Sequence, residues 1–492
     1  MRMHLGHLWR ALGTGIWPWT DGLHPPLTGV AVDSRQVGRG DLFVALRGER
    51  TDGHRFVCEA FRRGARVALV ERGNEDSAAG AVEAAATVID AAKDLAGGAP
   101  PEMPLCVQVT STLTGLQTLA ASWREAHPNC RVVGVTGSVG KTTTTQLVAA
   151  VLAQRFGTRS SPENYNNEIG LPLSVLRIEP GTEWLAQEMA MYGLEEIRRL
   201  AAIARPEVGV VTNVGPTHLE RLGTIDRIAE AKSELVQTLP LYGLAVLNGD
   251  DPRVRAMSEL ATARRVLYYG LDEGNDLWAD EVQVLGLEGT ALRLHWRGES
   301  VQVRLPLMGR HIAYPALAAA AVGLHAGLSW PEIAAGLQDR QAQVRLRALP
   351  GIRDTTVLDD SYNASPISTI AALDLLAEMR GRRVAVLGGM LELGSYSEEG
   401  HRLVGRRVSE AADLLVAVGD LGRWIADEAL RCGMRVHSVY TVADNSEALR
   451  TLERVLESGD FVLVKGSRGV ALDAVVDRLT QPGSTPRAGR EA

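Results

Sequence analysis

Residues 133–145 read VGVTGSVGKTTTT, a run whose residue types and spacing suit the binding of a nucleoside triphosphate. The apolar stretch Arg131 to Val135 predicts a buried strand, and Gly137 and Gly140 let the backbone close around phosphates. The region leading through Leu147–Leu152 begins a helix whose N-terminus points at them. Thr136, Ser138 and Val139 complete the candidate ATP loop. Lys141 would neutralise phosphate charge, and Thr142 and Thr143 bring hydroxyls to the helix start, where one can hold a magnesium ion bridging the terminal phosphates. Val135 stands where the common GxxxxGK[ST] spacing puts its first glycine, so the loop is a variant. The competing reading is a glycine turn that merely opens a helix. A lysine in the first helical turn opposes the helix dipole, which makes that reading unfavourable unless an anion is present.

Three further residues fall where they can serve this loop. Glu188 closes the strand-like run WLAQEM, His218 follows the apolar run VGVVTNV in the loop NVGPTHLERLG, and Lys232 lies one helical segment later in IAEAKSEL. A carboxylate and an imidazole converging on a triphosphate are ligands for magnesium, with phosphate oxygens and water completing the octahedron. The expected metal set is therefore Thr142, Glu188 and His218. Taken singly, Glu188 could cap a helix, His218 could hydrogen-bond within its loop, and Lys232 could be solvated.

The elements that must position these groups follow from length and pattern. At 492 residues the chain exceeds one ordinary core and suggests about three domains. Hydrophobic residues make up 45% and charged residues 23%, as in a soluble globular protein. The net charge of −7 argues against a nucleic-acid partner. The four cysteines show no CxxC pair, so neither a zinc site nor a disulfide framework is expected, and no apolar run reaches the length of a membrane span. A cytoplasmic monomer is the expectation. Residues 1–104 mix strand-like runs at Gly29–Asp33 and Leu42–Leu46 with a helix near His54–Arg63, and the Pro/Gly-rich stretch GGAPPEMP (97–104) marks a linker.

From 105 to 343, strands at Val132–Val135, Trp184–Met189, Val208–Thr212 and Ala245–Asn248 alternate with helices. That alternation predicts a mostly parallel sheet with ligands at the carboxyl ends of its strands. A two-residue period over Ala279–Leu305 predicts an antiparallel meander appended to it. From 344 to 481, strand candidates at Thr355–Leu358, Arg383–Leu387, Leu414–Val418 and Phe461–Lys465 predict a Rossmann-like doubly wound domain. The polar tail 482–492 is expected to be disordered. The fold class is thus α/β in three domains: a smaller N-terminal α/β domain, a central P-loop domain and the C-terminal domain.

Taken together, TGSVGKTTT, NYNNEIGLPLSVL (164–176), EMA (188–190), NVGPTHLERLGT with AEAKSEL, GRH (309–311), DDSYNASP (359–366), GGMLELG (388–394) and VKGSRG (464–469) resemble the Mur ligase family in order and spacing. The N-terminal VDSRQVGRGDLFVALRGERTDGHRF (32–56) looks like the nucleotide-sugar entrance of its later members, so the resemblance covers nearly the whole chain. DDSYNASP, GGMLELG and NNEIGLPL look like the branch that adds D-alanyl-D-alanine to UDP-N-acetylmuramoyl-tripeptide in cell-wall precursor synthesis. The DNPR-type and GGDRD-type motifs of the neighbouring tripeptide-forming branch are missing.

The resemblance implies that ATP phosphorylates the carboxylate of the nucleotide-linked peptide and that the amine of the second substrate attacks the acyl phosphate. It makes Lys141, Glu188, His218 and Lys232 the catalytic set, with Lys232 matching a family lysine that becomes a carbamate. It places Asp360, Tyr362, Asn363 and Arg345 toward ATP, and Lys465, Ser467 and Arg468 near the peptide substrate. Ser34, Arg35, Arg47 and Arg50 fall toward the uridine diphosphate. A third domain that completes the site implies hinge closure, which keeps water from the acyl phosphate.

The chain departs from the family pattern in two places. Its GRHIAYP has Ile312 and Pro315 where asparagines usually stand, which moves the expected adenine contacts to Asn167 and to stacking on Tyr314. Its EMAMYGLEEI has Tyr192 and Gly193 where Asn and His often stand. Alternatives to the dipeptide ligase are a related Mur-type, folylpolyglutamate or cyanophycin-type ligase, and a P-loop switch that binds ATP without ligation. The DSR-containing first segment argues against the non-cell-wall ligases.

Overall fold

Apolar, β-branched runs form the strands of three sheets in a computed structural model, which describes residues 2–14, 17–19, 22–48, 51–93, 100–339 and 346–480. Arg345, Arg50 and the tail from 482 lie outside the described residues. The first sheet holds β1 (Val30–Ala31), β2 (Leu42–Val44), β3 (Val67–Glu71), β4 (Thr87–Asp90) and β5 (Leu105–Val109) in the order β1-β2-β3-β5-β4. The pairs β1–β2, β2–β3, β3–β5 and β4–β5 are parallel, and the core includes Phe43, Val57, Ala68 and Val70.

The strand Leu105–Val109, just past the expected boundary at 104, inserts between β3 and β4. Residues 100–104, the described part of the proline-rich stretch, lead directly into that strand. The apolar run that follows completes a parallel crossover, because burying LCVQV against β3 outweighs the breaker signal upstream.

The second sheet holds β6 (Arg131–Thr136), β7 (Thr158–Ser160), β8 (Trp184–Glu188), β9 (Val208–Val211), β10 (Leu244–Asn248), β11 (Arg265–Gly270), β12 (Leu277–Val284), β13 (Thr290–Trp296) and β14 (Glu299–Leu305). Its order is β14-β13-β12-β11-β10-β9-β6-β8-β7. Strands β9 to β12 run parallel, as do β7 and β8, and β12–β14 form the expected antiparallel meander.

The third sheet holds β15 (Arg347–Pro350), β16 (Thr356–Asp360), β17 (Arg383–Leu387), β18 (Leu414–Val418), β19 (Val439–Val442) and β20 (Phe461–Lys465) in the order β15-β16-β20-β17-β18-β19. Only the β15–β16 pairing is antiparallel. The four expected strands are its buried centre. The two edge strands escaped the sequence reading because edges are half solvated and lack a continuous apolar run.

By compactness the chain divides into two units. One comprises Met1–Gly134, Phe156–Ala190 and Glu196–Glu207, and the other Val135–Arg155, Met191–Glu195 and Val208–Ala492. The division crosses β6. No helix among the described residues is long and apolar enough to cross a membrane.

Candidate active site

In the second unit the loop after β6 is built as the sequence predicts. Gly137 has φ 149°, and Gly140, left-handed at φ 84°, caps the Lys141–Leu152 helix. Glycine is required at Gly137 for a second reason: a Cβ there would lie 1.8 Å from Thr212 Oγ1. Thr136 is fully buried at the end of β6, and its hydroxyl has no hydrogen-bond partner. The Lys141 ammonium curls back over the loop and donates to the carbonyls of Gly137 (2.9 Å) and Ser138 (3.3 Å). Thr142 and Thr143 are half-buried in the first turn.

The loop is held along its length by the segment Thr212–Thr217, which the sequence analysis used only as the stretch that leads to His218. The Ser138 amide donates to Asn213 O (2.9 Å), and the Val139 amide donates to Asn213 Oδ1 (2.9 Å). Asn213 Nδ2 and Thr212 Oγ1 both donate to Val139 O, at 2.9 and 2.7 Å. The Ser138 hydroxyl bridges to the Gly215 backbone and receives Thr217 Oγ1 at 3.1 Å. The available signal was the motif TNVGPT itself, with two hydroxyls and an amide directly before His218. This segment delivers His218, which sits in left-handed backbone (φ 58°, ψ 24°) before a short helix, Leu219–Leu222. Its Nδ1 lies 2.5 Å from Glu392 Oε2, and the Tyr192 ring meets it edge-on at 5.0 Å. The Arg221 guanidinium lies over the Tyr192 ring, 4.8 Å from its centre.

Lys232 is buried at 3% exposure on the Ile225–Gln237 helix. Burial first, and the neighbouring Lys141 cation second, hold its pKa well below the ordinary lysine value. A lysine in that setting gives up its proton more readily than a solvated one.

The C-terminal candidates cluster at the carboxyl ends of β16 and β20. Lys465 Nζ lies 2.5 Å from Asp360 Oδ2 and donates to Asn363 O at 3.0 Å, so these two motifs meet as an ion pair. Ser467 Oγ accepts the Leu391 amide at 2.9 Å, and Arg468 lies 5.8 Å from the Tyr362 ring centre. Tyr314 donates its hydroxyl to Asp250 at 3.0 Å, and burial followed by that carboxylate pushes its pKa up to about 12. The hydroxyl is thus anchored while the ring remains half-buried.

In the first unit, Glu188 ends β8 at 4% exposure. Asn166 Nδ2 donates to its Oε1 at 2.7 Å, and its own amide donates to Ser161 Oγ at 3.1 Å. Asn166 is a partner of Glu188 that the sequence analysis passed over within a motif it quoted. Asn167 Oδ1 accepts the amides of Ile169 and Gly170 at the start of the Gly170–Val175 helix. Ser34 donates to Glu59 (3.1 Å), Arg35 forks onto Asp33 (3.0 and 2.9 Å), and Arg47 pairs with Glu71 at 2.7 Å. These bases therefore have internal partners, and an anionic ligand would have to displace or share them.

Three family models match the chain in succession: "Mur ligase family, catalytic domain" over 26–99, "Mur ligase middle domain" over 135–323, and "Mur ligase, glutamate ligase domain" over 344–468. This chain belongs to the Mur ligase family. Among its Mur ligase relatives, the UDP-N-acetylmuramoyl-tripeptide--D-alanyl-D-alanine ligase of Synechocystis sp. is 35% identical over 92% of this chain and 92% of that protein. The crystal structure of MurF from Acinetobacter baumannii superposes with a TM-score of 0.81 at 29% identity, covering 98% of this chain and 99% of that one. MurF ligase from Thermotoga maritima, in complex with ADP, gives a TM-score of 0.72 at 29% identity over 91% of this chain and 96% of that one.

Proposed function

We propose that this Mur ligase is a cytoplasmic, monomeric, ATP-dependent peptide ligase that joins D-alanyl-D-alanine to UDP-N-acetylmuramoyl-tripeptide in peptidoglycan precursor synthesis. One observation carries the chemistry: the phosphate loop is hydrogen-bonded to the very segment that delivers His218. The names of the curated relatives support the substrate pair, and the ADP complex of the Thermotoga maritima enzyme supports the nucleotide.

In the proposed reaction a carboxylate oxygen of the tripeptide forms a bond to the γ-phosphorus as the bond to ADP breaks. The free amine of D-alanyl-D-alanine then attacks the acyl carbon, phosphate leaves, and the amine loses a proton. Bringing one anion onto another is limited by repulsion and alignment, so Lys141 and the loop amides act by neutralising and orienting the phosphates. Thr142, Glu188 and His218 would hold a magnesium ion, which when bound offsets the triphosphate charge. The donor set fits that ion. Among the described residues no three His, Cys, Asp or Glu side chains converge on one point, and a magnesium site needs few protein ligands when phosphate oxygens and water supply the rest. Neutral Lys232 can add through its nitrogen to CO2, releasing a proton and leaving a carbamate whose negative charge complements Lys141.

Asp360, Tyr362, Asn363, Asn167, Tyr314 and Arg345 are assigned to the nucleotide in this reading. Lys465, Ser467 and Arg468 are assigned to the peptide, and Ser34, Arg35 and Arg47 to the uridine diphosphate. The three matched segments support a three-domain division, with the first boundary moved beyond Val109. Incubating the protein with ATP, magnesium, D-alanyl-D-alanine and UDP-muramoyl-tripeptide carrying either meso-diaminopimelate or lysine should yield the pentapeptide mass and dipeptide-dependent phosphate release. No pentapeptide from either tripeptide would reject the assignment, and phosphate release indifferent to the dipeptide would point to a switch.

A further inference from the structure

His218 belongs to the central segment, and the carboxylate that meets it comes from the C-terminal one. Glu392 makes two contacts to the same short helix: its carboxylate lies 2.5 Å from His218 Nδ1, and its carbonyl accepts the Glu220 amide at 3.2 Å. Both residues hold left-handed backbone, His218 at φ 58° and Glu392 at φ 63°. Side-chain-bearing residues adopt that conformation only where surroundings enforce it, and such positions gather at functional sites. At Gly394 (φ 54°) an added Cβ would lie 3.0 Å from Glu220 Cα, so the backbones approach closely here.

The loop carrying Glu392 is itself anchored. The Leu391 amide donates to Ser467 Oγ at 2.9 Å, and the Met390 amide donates to His401 Nε2 at 2.8 Å. A solvated contact between two side chains would contribute little by itself. This one is backed by a main-chain bond and by a loop fixed to the KGSRG turn.

We propose that Glu392 is the positioning residue of His218: by engaging Nδ1 it leaves Nε2 as the nitrogen presented to the divalent cation, and it makes metal affinity depend on the docking of the C-terminal segment. The inference rests on the reading of His218 as a metal ligand. A carboxylate on the far nitrogen of a ligating imidazole fixes tautomer and ring orientation and raises ligand basicity. Tyr192, edge-on to the ring, limits rotation from a second side. Because coupling is reciprocal, metal and nucleotide together should tighten the docking.

The test is a Mn2+ titration followed by electron paramagnetic resonance, on the full chain with a non-hydrolysable ATP analogue. Glu392→Ala should weaken Mn2+ binding by roughly 10- to 100-fold. Glu392→Gln, whose amide oxygen still accepts from Nδ1, should recover most of that loss, and Glu392→Asp, one methylene shorter, should fall between. Affinity for the analogue without metal and the thermal midpoint should stay at wild-type values, as should all readouts for the exposed control Glu453→Gln. Unchanged or tighter Mn2+ binding in Glu392→Ala overturns the proposal, the tighter case meaning that Glu392 competes for the ligating nitrogen. His218→Ala separates the two levels. If it leaves Mn2+ binding intact, the metal-ligand reading falls and takes the inference with it. If it abolishes binding while Glu392→Ala does not, only the inference falls.

Discussion

Lys465 Nζ lies 2.5 Å from Asp360 Oδ2 and joins the ends of β20 and β16, with the lysine side chain 2% exposed. A base expected to face the peptide substrate thus also secures the nucleotide-side loop DDSYN. Removing one partner of a buried pair strands the other charge and costs about 3–5 kcal/mol. Lys465→Met should therefore lower denaturant stability by roughly 3 kcal/mol, less if water reaches Asp360, and Lys465→Met/Asp360→Asn should regain part of it. Wild-type stability in Lys465→Met with ligation lost would instead assign the lysine to substrate alone.

Gly137→Ala should abolish nucleotide binding. The new methyl would fall 1.8 Å from Thr212 Oγ1, and that hydroxyl cannot swing aside without losing its bond to Val139 O. Strain of about 1–3 kcal/mol is expected in addition. Calorimetric titration with ADP checks this, and wild-type affinity would remove the loop from the nucleotide site.

Lys232→Met should stabilise the protein at neutral pH in CO2-free buffer. The unfolded chain holds the lysine proton up to the ordinary value of 10.5, while the folded chain releases it well below. Between the two the unfolded state carries one more proton, so wild-type stability rises with pH by about 1.4 kcal/mol per unit. The advantage of the variant should shrink as pH approaches 10.5, and added bicarbonate should raise the melting temperature of the wild type alone. A pH-independent difference between the two melting temperatures would contradict this account.

Asn166→Ala should reduce ligation while leaving the fold intact. Its amide donates to the Glu188 carboxylate at 2.7 Å, and a hydrogen bond to a charged group contributes about 1.5–3 kcal/mol, equivalent to roughly 10- to 100-fold. The loss should be largest at limiting magnesium, read as a raised magnesium requirement in an ADP-release assay. A lowered kcat with an unchanged magnesium requirement would place Asn166 elsewhere in the mechanism.

Much of the fold was legible because it depends on local pattern. The continuous apolar runs at β6, β9, β10 and β17 read as buried strands, and the alternation after Ala279 reads as a half-solvated meander. The glycine spacing at Gly137 and Gly140 encodes a turn with positive φ, which is what forms. Pattern failed where neighbours outvoted it. GGAPPEMP reads as a linker but precedes a strand of the first sheet, and β15 and β19 lack apolar runs because their outer edges are solvated.

The sequence by itself determined the residue types: a glycine loop with lysine and hydroxyls, an acid at a strand end, a histidine after another, and a lysine on an apolar helix face. Only the tertiary structure decided which groups those residues meet. Asn166 reaching Glu188 across 22 residues, Lys465 meeting Asp360 across 105 and Glu392 meeting His218 across 174 are long-range pairings. Periodicity fixes which face of an element is buried. A hydrogen bond needs two atoms within about 3 Å, and that placement follows from how whole elements pack, which no local pattern records.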